Sequence, residues 1–162
     1  MYREVRVFMK HYDQIIFVCT SNTLLSPLTE GIYRDRSPKW MPKGISRGLV
    51  VLFEEPINPK CNVLLTKNGY TISSHSQSRK LSKEDLTETT LILTMTLSEK
   101  VKLIEEFEHE HNVYTLGEYV GEDTDMTDPG GSEEEKYREC FDELVYRVDK
   151  LIRKLKELSI EE

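Results

Sequence analysis

The sequence predicts an α/β fold in three layers: a four-stranded parallel sheet with helices on both faces. Three observations predict it. Short, continuous apolar runs such as Ile15-Ile16-Phe17-Val18 and Leu91-Ile92-Leu93 read as strands buried on both faces. Between them lie longer stretches with apolar residues at helical spacing. Strand and helix alternate along the chain, which is the pattern of a parallel sheet joined by crossover helices. With 162 residues the chain suits one core. Residues 1–11 are expected to be an N-terminal extension and 12–162 a single domain.

Residues 1–11 (MYREVRVFMKH) fit a tail, an edge strand, or an extension upstream of a start at Met9. Ile15–Val18 is the first strand, followed by a tight loop and a helix through residue 36. Ser26 is expected at that helix's cap, with Pro27 at its first position. The second strand is expected over Ser46–Leu52. A helix from Asn58 to Asn68 should end at Gly69, a left-handed cap. Leu91–Met95 is the third strand. Ser98 is expected to cap the next helix, with Val101, Leu103, Ile104 and Phe107 on its buried stripe. Val113–Leu116 is the fourth strand, and Gly117–Ser132 reads as loop. Ser132 with Glu135 has the spacing of a capping box. The last helix aligns Tyr137, Phe141, Leu144, Val145, Val148, Leu151, Ile152 and Leu155.

Charge and cysteine content narrow the function. The net charge is −7, but its distribution is uneven. Residues 104–135 contain 12 acids and no Lys or Arg, whereas residues 1–103 hold 15 Lys/Arg against 10 acids. No uniformly basic face for nucleic acid is in evidence. Three cysteines, an odd and sparse set, argue against a disulfide framework. No apolar run is long enough to span a membrane. The expectation is a cytoplasmic protein with no nucleic-acid or membrane partner and no metal or other cofactor. Its oligomeric state is left open. His109 and His111, two apart, would face different sides of a helix end and make a poor metal pair.

In parallel α/β folds ligands bind beyond the carboxyl ends of the strands, where the segment after Val18 lies. Cys19 closes the first strand, and the amides from Thr20 to Ser26 can converge on an anion or a thiolate at a helix N-terminus. A buried core cysteine is an equally good reading on position alone.

The surrounding residues shift that balance. The run IFVCTSNTLLSPLTEGIYR from Ile16 to Arg34 resembles the phosphate-binding loop of the low molecular weight protein tyrosine phosphatases, V-C-x-G-N-x-C-R-S-P. Ile45-Ser46-Arg47-Gly48, the run LILTMT from Leu91, VYTLGEYV from Val113, and Asp125-Met126-Thr127-Asp128-Pro129 resemble later segments of the family in order. The resemblance spans roughly residues 13–157. It implies hydrolysis of phosphomonoesters through a phosphocysteine on Cys19, with Ser26 supporting the thiolate and Asp128 as general acid. Thr20, Ser21, Asn22, Thr23, Leu24 and Leu25 would form the phosphate-binding loop. Asn22 would hold its left-handed turn, and Ser46 and His75 would support it from beneath. The implied ligand is phosphate or a phosphotyrosine-type group, and a phosphoprotein is a candidate partner.

Three positions depart from the family. Leu25 stands where the arginine that clamps two phosphoryl oxygens belongs. Leu24 replaces the second loop cysteine. Gly130 and Gly131 follow Asp128-Pro129 where an aromatic wall is usual. Losing one transition-state contact costs roughly 100- to 1,000-fold in rate, so weak turnover is expected. Arg79, Arg47 and Lys43 are candidates to replace the missing charge from outside the loop, although solvated surface bases are the plainer reading of each. Two alternatives stay open at this stage: a catalytically inactive pseudophosphatase that binds anions or phosphoproteins, and a cysteine phosphoryl carrier.

Overall fold

The computed structural model describes residues 11–160. Apart from His11, the expected extension of residues 1–11 lies outside them. The elements run β1 (Gln14–Cys19), α1 (Leu25–Arg36), β2 (Lys43–Gly48), α2 (Pro59–Lys67), a 3-10 turn (Lys83–Asp85), β3 (Thr90–Thr94), α3 (Leu97–Phe107), β4 (Val113–Thr115), α4 (Leu116–Val120) and α5 (Glu134–Ile160). All pairings are parallel and the strand order is β2-β1-β3-β4. The predicted four-stranded, three-layer architecture is the one observed.

Alternation along β1 divides the core into two layers. Ile15, Phe17 and Cys19 face a cluster that includes Leu28 and Ile32 of α1, Leu65 of α2, Leu116 of α4 and Phe141, Leu144 and Val148 of α5. Ile16 and Val18 face the opposite cluster, with Leu103 of α3 and Leu81. Both faces of β1 are therefore covered, which explains its unbroken apolar run. The α5 stripe packs as expected, and Cys61 and Cys140 are buried free thiols.

Several boundaries differ from expectation for local reasons. β2 begins at Lys43 and ends at Gly48, because its register with β1 pairs Gln14 with Lys43 and Cys19 with Gly48. α1 begins at Leu25, so Ser26 and Pro27 lie within its first turn, and the Ser26 hydroxyl serves Cys19 rather than a helix cap. Thr96, not Ser98, caps α3: its hydroxyl accepts from the Glu99 N–H while Glu99 reaches back, a full capping box. Val101 is largely exposed, leaving Leu103 buried with Ile104 and Phe107 packed beside it. α5 starts at Glu134, so Ser132 stands outside it. The expected loop after Gly117 contains the short α4, capped by Thr115 and Glu118. Gly69 takes the left-handed conformation predicted for it (φ 84°).

Some acids of the 104–135 segment pair with lysines from elsewhere in the chain. Glu106 pairs with Lys80, Glu118 with Lys100 and Glu122 with Lys150.

Candidate active site

β1 delivers Cys19 to the carboxyl end of the sheet, and the next five residues curl back to α1. Asn22 sits at φ 58°, a conformation that asparagine tolerates better than most residues. This turn aims its N–H at the Cys19 sulfur, 3.2 Å away. The Ser26 hydroxyl lies 3.0 Å from the same sulfur.

A buried network holds the turn. The Asn22 side-chain amide donates to Ser26 Oγ at 2.7 Å and to Ser46 Oγ at 3.0 Å, and its carbonyl accepts the Arg79 N–H at 2.8 Å. Ser46 donates to Glu30 Oε1 at 2.8 Å and meets His75 Nε2 at 3.2 Å. The Ser74 hydroxyl donates to the other Glu30 oxygen. The structure thus brings Asn22, Ser26, Ser46 and His75 together beneath the loop. Burial pushes the Glu30 carboxyl up, but hydrogen bonds from His75, Ser74 and Ser46 outweigh it and hold the carboxyl below its ordinary value.

Glu30 was not singled out from the sequence. The available signal was its position four residues after Ser26 on a predicted helix, which puts both on one face. Glu99 was missed as well. It accepts the Thr20 hydroxyl at 2.9 Å while also receiving the Met95 and Thr96 N–H groups.

Backbone bonds fasten the loop to the segment after β2: Leu49 N–H to the Cys19 carbonyl at 3.1 Å, and Val50 N–H to the Thr20 carbonyl at 2.8 Å. Gly48 permits this approach. A Cβ there would stand 2.9 Å from Asn22 Cβ and 3.0 Å from the Ser21 backbone carbon. The same segment exposes Leu52 and Phe53, two apolar side chains the sequence reading did not select. Ser21 and Thr23 join hydroxyls at 2.8 Å.

The electrostatics of the thiol follow from what surrounds it. Burial pushes the Cys19 thiol up, and the nearby Glu99 charge adds to that. The Ser26 and Asn22 donors oppose it but do not prevail. Leu24 and Leu25 are buried in the apolar core and bring no charge. Arg47, Arg79 and Lys43 line a cleft beside β2 that takes in no residue from Cys19 to Leu25, and the Arg47 guanidinium donates to the Ser46 carbonyl at 2.7 Å.

Asp128 lies on the loop before α5. The Met126 N–H donates to the Met95 carbonyl at 3.0 Å, and the Met95 N–H donates to the Val18 carbonyl at 3.0 Å. This ladder anchors the Asp-Pro loop at the sheet end that presents Cys19. The Asp128 carboxylate accepts the Gly130 N–H at 2.8 Å and makes no hydrogen bond to the Cys19 loop.

The family model for low molecular weight phosphotyrosine protein phosphatase matches residues 14–160. A low molecular weight protein-tyrosine-phosphatase, PtpB, of Staphylococcus haemolyticus is 33% identical over 140 residues, 85% of this chain and 96% of its own length. Among solved structures, a low molecular weight protein tyrosine phosphatase from T. tengcongensis superposes with a TM-score of 0.81 at 34% identity, over 88% of this chain and 99% of that one. The YwlE arginine phosphatase from Geobacillus stearothermophilus gives 0.83 at 31% identity, over 91% and 96%.

Proposed function

Since the chain belongs to the low molecular weight phosphotyrosine protein phosphatase family, we propose that it hydrolyses phosphomonoesters slowly through a phosphocysteine on Cys19. The observation that supports this most is the placement of the Cys19 sulfur 3.2 Å from the Asn22 N–H and 3.0 Å from the Ser26 hydroxyl, in a loop whose amides can receive phosphoryl oxygens.

The thiol proton leaves first, to a phosphoryl oxygen or to water. The thiolate then forms the S–P bond as the bond from phosphorus to the leaving oxygen breaks (or to the leaving nitrogen, for a phosphoarginine), and Asp128 gives that atom its proton. Water next attacks phosphorus, Asp128 takes a proton from it, and the S–P bond breaks to release phosphate and the thiolate. Ser26 stabilises the thiolate at both stages. Two features slow this sequence: a thiol held above its ordinary pKa, and Leu25 in place of a cation facing the phosphoryl oxygens.

Those same features favour a second reading, in which the loop binds a phosphoryl group without turning it over. The leaving group is also open. One relative is named for tyrosine and another for arginine phosphatase activity, and Leu52 and Phe53 beside the loop offer an apolar surface for an aryl group. Turnover of p-nitrophenyl phosphate, a phosphotyrosyl peptide and a phosphoarginyl peptide by the native chain and by Cys19→Ser tests the proposal. Slow hydrolysis that vanishes in Cys19→Ser supports it. Hydrolysis that persists in Cys19→Ser, or none by the native chain, refutes it, and saturable phosphate binding without hydrolysis selects the second reading.

A further inference from the structure

Lys43, Ile45 and Arg47 alternate along β2 and so project from one face of an edge strand. They line a cleft of about 620 Å³, which also takes in Arg34, Lys39 and Arg79 and includes no residue of the Cys19 loop. Five cations therefore meet a single lining carboxylate, Glu30, in a chain of net charge −7. Glu30 is already committed to Ser46 and Ser74.

The cations differ in how far they are neutralised. Arg34 is 3.7 Å from Glu30 and 3.6 Å from Asp35, and Arg47 is 3.7 Å from Asp85. Lys39, Lys43 and Arg79 have exposed side chains and no ion-pair partner among the described residues. A concave surface with one sign of charge concentrates its field and collects counter-ions. Lys43 and Arg47 lie about 13 Å apart by the rise of a strand. Between them the lining is apolar, with Ile45 and Met41. A single phosphate would satisfy one end of such a cleft only.

We propose that this cleft is a binding site for an elongated small organic molecule carrying several phosphoryl groups, distinct from the Cys19 loop. The ligand's phosphoryl groups spread among the cations, and its organic part covers Ile45 and Met41. The proposal does not rest on turnover at Cys19.

Calorimetric titration of the full chain with ATP tests it, with inorganic phosphate as the comparison. The charge reversals are Lys39→Glu with Lys43→Glu in one variant and Arg79→Glu in another, both at exposed positions. ATP should bind, each variant should weaken it at least about tenfold, and inorganic phosphate should bind this site at least about tenfold more weakly than ATP. Cys19→Ser should leave ATP affinity unchanged. Failure of the native chain to bind ATP, binding that survives both charge reversals, or binding lost in Cys19→Ser would each overturn the proposal. Arg79→Glu keeps the test decisive should the double variant fold poorly.

Discussion

The Asn22 side-chain amide donates to the Ser46 hydroxyl at 3.0 Å, bridging residues that lie 24 apart in the chain. This bond joins the β1–α1 loop to β2 and, through Ser46, to Glu30 and His75. The loop is therefore braced from below by side chains of other elements.

Replacing Asn22 by Ala should remove that control. The substitution leaves the Arg79 N–H without its acceptor, takes a donor from the Ser26 and Ser46 hydroxyls, and puts a residue less tolerant of φ 58° into the turn. Unpaired buried groups cost roughly 1–3 kcal/mol each, so a loss of about 3 kcal/mol is expected in urea unfolding. A loss below about 1 kcal/mol would show that the network does not hold the loop.

Glu30 provides a pH signature. Its carboxyl is held below the ordinary 4.5, so the folded state binds its proton less readily than the unfolded chain. The stability it contributes is complete above that ordinary value and is lost as pH falls through the lower folded one. Glu30→Gln should therefore be less stable than the native chain at pH 7, and the gap should narrow toward pH 3. Urea midpoints across that range check this, and a gap that stays constant would refute it.

Cys19 should behave as a reluctant thiolate. Its pKa lies above the ordinary 9.0, so alkylation by iodoacetamide should keep climbing through pH 9 with no plateau near neutrality. Glu99→Gln removes the charge that adds to the effect of burial, and should shift the alkylation profile to lower pH. Peptide mapping separates this signal from those of Cys61 and Cys140, whose thiols burial pushes up to about 12. A plateau below pH 7 would contradict this description of the site.

The strands and the order of elements were legible because β1 and β3 are buried on both faces, and that condition writes itself as unbroken apolar runs. Cys19, Asn22 and Ser26 were legible because they sit within eight residues of one another. Glu30 and Glu99 were not. Each acts on the loop across tertiary distance, and in the sequence one is a helix-face carboxylate and the other half of a capping box. The start of β2 was misplaced because its pairing with Gln14 is decided by register across the sheet, not by the weakly apolar residues Lys43–Gly48. The basic cleft is equally hidden: Arg47, Arg79 and Lys43 lie far apart in the sequence, and only the fold brings them to one cleft.

The loop keeps its shape and lacks the cation that would face the phosphoryl oxygens. Steady-state turnover of p-nitrophenyl phosphate by Leu25→Arg, beside the native chain and Leu25→Arg/Cys19→Ser, tests it most directly, with thermal midpoints confirming that each variant is folded. Leu25→Arg should exceed the native rate by roughly 100- to 1,000-fold, and the added Cys19→Ser change should abolish the gain. A folded Leu25→Arg protein no faster than the native chain would contradict it.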